Sequence, residues 1–250
     1  MRTRDEWDSW YARPNPWGTE GDDEDRVRTE LLLSRLKHAH FVHLLDLGCG
    51  EGRLTDVLSR LSEHTYGIDI AHAAIERARS RFPHIRFEQG DLLDVLPEPK
   101  IARIPEVLYY FQTEEERRAA VAGLARIGAP ACLYYLSVIV TGASKYRRYF
   151  THDEFIRMLS EHFQVVDCFF LVAELPHLLS LSRLLPHPQL RAALRKILTA
   201  TRKPEHSKHV GYFALKRTPA DLVPLQMNPA SDALGEHEPI QGITVGNRET

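Results

Sequence analysis

The stretch Phe41-Val42-His43-Leu44-Leu45-Asp46-Leu47-Gly48-Cys49-Gly50-Glu51-Gly52 decides the reading of this 250-residue chain. An apolar run that ends in an acid and opens into alternating glycines is the pattern of a strand emptying into a tight turn ahead of a helix. Glycines at 48, 50 and 52 remove the Cβ atoms that would hold backbone amides away from a ligand, and they reach backbone angles that other residues strain to adopt. The spacing then selects among ligands. A dinucleotide fingerprint asks for glycine at 53, where Arg53 stands, and an ATP-binding P-loop asks for a Gly-Lys-Ser/Thr ending that is absent. What precedes the turn is Asp46, two residues before the first glycine, placed to accept hydrogen bonds from an amino-acid ammonium directly or through water.

Two further acids follow at comparable places. Asp69 ends the next apolar stretch, Tyr66-Gly67-Ile68-Asp69, about 20 residues on, where a carboxylate typically takes a ribose hydroxyl pair. Asp91, in Phe87-Glu88-Gln89-Gly90-Asp91-Leu92, follows a third short strand and would face an adenine amino group. A glycine turn alone is met by any tight strand-to-helix connection. Three acids at three successive strand ends are hard to attribute to turn chemistry. Together they make S-adenosylmethionine the leading cofactor, with Asp46, Gly48, Cys49, Gly50, Asp69, Ile70, Asp91 and Leu92 as its expected contacts. These residues resemble the class I methyltransferases that use this cofactor, over roughly Leu36 to Phe170.

Outside that core, Trp7-Asp8-Ser9-Trp10-Tyr11, Asn15-Pro16-Trp17-Gly18 and Glu106-Val107-Leu108-Tyr109-Tyr110-Phe111 resemble the nodulation-type N-methyltransferases, which methylate an amino sugar on a chitin-derived oligosaccharide. The resemblance implies an aromatic lid from Trp7, Trp10, Tyr11 and Trp17, the last three as substrate-side candidates; anchoring the N-terminal arm on the domain is the equally weighted alternative role. Glu106, Tyr109 and Tyr110 follow the fourth strand, at the carboxyl edge where open α/β sheets place ligands, and are the candidate catalytic residues. Core packing for a tyrosine and a helix-start charge for Glu106 are the structural alternatives. Methyl transfer from a sulfonium is an in-line displacement, so it needs positioning and a water-poor site more than a covalent nucleophile. An amine acceptor must be unprotonated, a task for a nearby carboxylate, phenol or imidazole.

Apolar residues at 43%, charged residues at 26% and a formal charge of −2 are ordinary globular values and give no global attraction to nucleic acid. No apolar run approaches the ~20 residues that span a bilayer, and Met1-Arg2-Thr3-Arg4-Asp5-Glu6 leads into no secretory segment, which makes the cytoplasm the expected location. Cys49, Cys132 and Cys168 lie far apart, in or beside expected strands, and read as buried small residues. His38, His40 and His43 have no carboxylate or cysteine partner at a recognised ligand spacing, so no metal is expected.

Helical and strand patterns alternate along the chain. Leu54, Val57, Leu58 and Leu61 repeat at helical spacing after the glycine turn; Ile75, Ala78 and Phe82 do so before Pro83; Thr113 and Thr151 open helices with capping-box spacing. Strands are expected at Tyr66 to Asp69, Ile85 to Phe87, Ala131 to Val140, Val165 to Val172 and Val210 to Leu215. Alternation requires a mostly parallel sheet covered on both faces. The resemblance specifies it further: a doubly wound, Rossmann-like α/β fold of seven strands, the last two forming an antiparallel hairpin. The fourth strand is short, Lys100 to Pro105, and Pro105 must end or deform it. The acidic run Glu20 to Asp25 reads as the first turn of a helix closed by Arg35 and Lys37. Residues 1–37 are therefore expected to form an aromatic arm and helix, and 38–217 the transferase domain. A basic, leucine-rich helical insertion is expected at about 174–208, packed on the domain, with contact to anionic lipid as the disfavoured alternative. Residues 218–250 read as a disordered tail.

The function expected is small-molecule methylation, on the nitrogen of an amine or amino sugar, with O-methylation as the alternative. An NAD-dependent oxidoreductase is disfavoured by Arg53, and a diverged fold that binds cofactor or a partner without turnover is the non-enzymatic reading.

Overall fold

A computed structural model describes residues 3–20, 23–91, 101–105, 113–127, 133–139, 151–170, 187, 190 and 209–217. Two helices, α1 (Arg4–Trp10) and α2 (Asp23–Leu36), precede the first strand, β1 (Phe41–Leu47). Then come α3 (Arg53–Ser59), β2 (Ser62–Asp69), α4 (His72–Arg81), β3 (Arg86–Gln89) and β4 (Ile101–Pro105). The remaining elements are α5 (Glu114–Ile127), β5 (Leu133–Ile139), α6 (His152–Ser160), β6 (Phe163–Phe170) and β7 (His209–Lys216). The described strands join one seven-stranded sheet in the order β3-β2-β1-β4-β5-β7-β6. β7 runs antiparallel to both its neighbours, and the other pairings are parallel.

Parallel strands covered on both faces bury every second residue on each side. Leu45 and Leu47 of β1, Tyr134 and Leu136 of β5 and Tyr212 of β7 pack with Val121 and Leu124 of α5 and Phe155 and Leu159 of α6 on one face. Leu44, Tyr135 and Phe213 meet Leu32 and Leu36 of α2 and Leu58 of α3 on the other. The helix starts follow local chemistry. Thr151 accepts the Glu154 N–H while the Glu154 carboxylate accepts the Thr151 N–H, and Thr113 and Glu116 do the same ahead of α5. α4 ends at Phe82, immediately before Pro83.

Several boundaries differ from expectation. β2 begins at Ser62 rather than Tyr66, because its ladder with β1 opens at Phe41↔Ser62 although its first residues are polar and face solvent. β6 begins at Phe163, two residues before the expected Val165, with a register irregularity between Val165 and Asp167. Helix α1 was not expected; the Thr3/Glu6 capping box that nucleates it was readable. β4 ends at Pro105 as its missing N–H requires, after pairing two positions with β1 and five with β5. Cys49 and Cys168 are half-buried rather than buried, and Cys132 lies outside the described residues. His43 stacks on the opposite His64 with ring centroids 5.2 Å apart. No helix among the described residues is long and apolar enough to cross a membrane. The expected tail lies outside the described residues, as does the expected insertion apart from His187 and Leu190.

Candidate cofactor and acceptor site

The parallel order β3-β2-β1 brings the three acids to neighbouring strand ends. All three glycines of the turn adopt left-handed angles, with φ of 71° at Gly48, 53° at Gly50 and 78° at Gly52. The turn is bound to β2 rather than presenting its first amides outward. The Gly48 and Cys49 N–H groups both donate to the Ile68 carbonyl, at 2.7 and 3.0 Å, and the Gly50 N–H donates to Asp69 Oδ2 at 2.8 Å. This corrects the expectation that glycine here frees those amides for a ligand. Its role is close approach: a Cβ on Gly52 would lie 2.7 Å from Phe87 Cζ, and one on Gly50 would lie 2.8 Å from Tyr11 Oη.

Asp69 is the centre of the arrangement. Its other oxygen accepts the Ala71 N–H at 2.9 Å, so the carboxylate bridges the glycine turn to the start of α4. Burial pushes its carboxyl up to about 6, and the nearby Asp46 adds to this, against the lowering by the Ala71, Gly50 and Ile70 amides. A carboxylate offers about four acceptor positions, so with the Gly50, Ala71 and Ile70 amides in place one remains for a ligand hydroxyl. Asp46 is fully buried and accepts the Thr55 hydroxyl at 2.6 Å, so it ties β1 to α3. The Gly90 N–H donates to the Asp69 carbonyl, which sets the end of β3 and half-buried Asp91 beside Asp69. The Ile70 carbonyl accepts from the Gln89 amide. Leu92, Glu106, Tyr109 and Tyr110 lie outside the described residues.

The N-terminal arm docks against this turn. Tyr11 and Trp7 are buried, Trp17 packs on both Trp7 and Trp10 with centroids 6.1 and 5.2 Å apart, and the Trp17 Nε1–H donates to Tyr11 Oη at 3.0 Å. Three anchors were not legible in the sequence. Glu51 of the turn accepts the Asn15 N–H and pairs with Arg77 of α4 at 2.8 Å; Arg77 also donates to the Tyr11 carbonyl; and Asp8 accepts the Ala73 N–H at 3.1 Å. Each joins residues at least 26 positions apart, so no local pattern carries it. Arg53, whose presence excluded the dinucleotide pattern, donates to Thr19 and pairs with Asp25.

Residues 44–131 match the family of methyltransferase domains. Over that segment the chain is similar to methyltransferase domains. Nodulation protein S of Rhizobium tropici is 31% identical over 125 residues, which cover 48% of this chain and 52% of that protein. A trans-aconitate 2-methyltransferase of Paracidovorax citrulli is 34% identical over 90 residues, 35% of this chain and 34% of that protein. The chain thus spans about half or less of the length of these curated relatives. The crystal structure of the N-methyltransferase NodS from Bradyrhizobium japonicum in complex with S-adenosylhomocysteine superposes with a TM-score of 0.64 at 17% identity, covering 87% of this chain and all of that one. The [4+2]-cyclase SpnF superposes at 0.56 with 16% identity over 77% of this chain and 81% of its own. That second likeness shows that the fold alone does not fix the chemistry.

Proposed function

We propose that this methyltransferase domain, over residues 38–217, moves the methyl group of S-adenosylmethionine to a small-molecule acceptor, and that the acceptor atom is the nitrogen of an amine or amino sugar. The observation that carries the reading is Asp69: a buried carboxylate at the end of β2, bonded to the glycine turn, with acceptor capacity left for a ribose hydroxyl. In this reading Gly48, Cys49 and Gly50 form the floor under the cofactor, Ile70 and Leu92 flank the adenine, Asp91 takes its amino group, and Asp46 supports the turn through Thr55. Glu106, Tyr109 and Tyr110 supply the acceptor side because they follow β4 at the carboxyl edge. Trp10, Tyr11 and Trp17 wall the site as a docked arm.

Bound there, the cofactor supplies an electrophilic methyl carbon on a sulfonium, while the protein's part is to hold the acceptor in line and exclude water. The choice of nitrogen rests on the likeness to the N-methyltransferase NodS; the trans-aconitate relatives favour an oxygen acceptor as the second reading. Both are tested by incubating the protein with isotopically labelled S-adenosylmethionine and the small-molecule fraction of a bacterial extract. Mass spectrometry of the labelled product identifies the methylated atom. Calorimetry with S-adenosylhomocysteine tests the cofactor directly, and preferential binding of NAD would overturn the assignment.

A further inference from the structure

A second constellation stands at the same edge of the sheet as the glycine turn. β5 runs parallel to β4 and β4 to β1, so its carboxyl end, Ile139, lies at that edge, and β7 begins there with His209 opposite Ile139. α6 ends three residues before β6, whose first residue pairs with Lys216 at the far edge, so α6 starts at the edge that carries the site. His152 is the first residue of α6. Its ring lies on that of Tyr212, with centroids 5.7 Å apart and planes 21° from parallel, and its Nδ1 is 2.9 Å from Tyr212 Oη. Phe155 closes on the Tyr212 ring at 4.9 Å.

The phenol proton decides which imidazole nitrogen is free. Tyr212 is fully buried, and burial, with Cys168 and Asp153 nearby, pushes its ionisation well above the usual phenol range, so it keeps its proton. A buried O–H must find an acceptor. His152 Nδ1 is the partner Tyr212 Oη has among the described residues. Nδ1 therefore bears the lone pair, and the proton of the neutral ring sits on Nε2. Protonating the ring would put an N–H at Nδ1, and the Tyr212 O–H would then have to turn away and lose the acceptor it has among the described residues. Burial lowers the His152 pKa in the same direction, Asp153 opposes it, and the Cys168 thiol, held neutral by burial, adds no charge. The half-buried imidazole is left with an Nε2–H that no described residue accepts.

We propose that His152 binds the acceptor molecule, its Nε2–H donating to a hydroxyl or carbonyl oxygen, with Tyr212 as the positioning residue that fixes this tautomer through Nδ1. The proposal deepens the transferase reading and rests on it. A fixed donor orients the acceptor and takes no proton from it, so His152 makes and breaks no bond. It selects against acceptors that present only a cation at this point.

The full chain tests this with labelled S-adenosylmethionine and the small-molecule fraction of a bacterial extract, used dilute and concentrated. Losing one hydrogen bond to an uncharged partner is expected to slow transfer about tenfold in dilute extract for His152→Phe, with recovery in concentrated extract. His152→Gln, which keeps an N–H donor at similar reach, is expected to restore most of the rate. Affinity for S-adenosylhomocysteine stays unchanged in both variants. Nitrogen-15 NMR of the imidazole is expected to show the Nε2-protonated tautomer in the wild type and a mixture in Tyr212→Phe. An Nδ1-protonated wild-type ring, or a His152→Phe protein with wild-type rates at both dilutions, overturns the proposal alone. A wild-type protein that neither binds S-adenosylhomocysteine nor transfers label overturns the transferase reading and takes this proposal with it.

Discussion

Replacing Asp69 by Asn tests the buried carboxylate through stability and binding together. Moving the carboxyl from an ordinary 3.8 to about 6 is worth about 3 kcal/mol between its protonation states. The sign follows from which state holds the proton. Between about pH 4 and 6 the folded protein keeps the Asp69 proton while the unfolded chain has lost it, so stability falls as pH rises through that window and levels off above about 6. Urea unfolding of the ligand-free protein from pH 4 to 7 is therefore expected to lose about 3 kcal/mol from this residue in the wild type, and to lack that component in Asp69→Asn. The amide of Asn can accept only one of the two N–H bonds from Gly50 and Ala71, so the variant also loses about 1 kcal/mol that does not depend on pH. Binding carries the opposite sign. A ribose hydroxyl donates to the ionised carboxylate, so wild-type affinity for S-adenosylhomocysteine is expected to rise with pH through 6, while Asp69→Asn binds about tenfold or more weakly at pH 7. Parallel stability curves for the two proteins, or equal ligand affinity at pH 7, would refute the assignment of Asp69.

Gly52→Ala combines a φ of 78° with a Cβ that meets the buried Phe87 ring at 2.7 Å, and is expected to cost about 2–4 kcal/mol in urea unfolding. Wild-type stability would mean that the turn relaxes more freely than its packing implies. Glu106→Gln and Tyr110→Phe are each expected to lower turnover about 100-fold with cofactor affinity intact, since both follow β4 beyond the acids assigned to the cofactor. Wild-type turnover in both would move the chemistry to Tyr109, the arm or positioning alone. Replacing residues 176–206 by a short flexible linker is expected to leave affinity for S-adenosylhomocysteine unchanged, because the acids assigned to the cofactor all precede it. Lost binding by a protein with an intact circular dichroism spectrum would place the insertion in the pocket.

What the sequence determined by itself is local or periodic. The turn from Gly48 to Gly52, the acids Asp46, Asp69 and Asp91, the capping boxes at Thr113 and Thr151 and the stop at Pro105 are all legible, because backbone angle, missing donors and capping act within a few residues. Boundaries such as Ser62 were not, because a polar strand end is set by the ladder of its neighbour rather than by its own propensity. Only the tertiary structure decided that the turn spends its first amides on Ile68 and Asp69, that Glu51 and Arg77 hold the arm, and that His152 stands on Tyr212, 60 residues away. The physical reason is the same in each case. A buried polar group must be satisfied by whichever partner the fold brings to it, and packing of the sheet, not sequence distance, selects that partner.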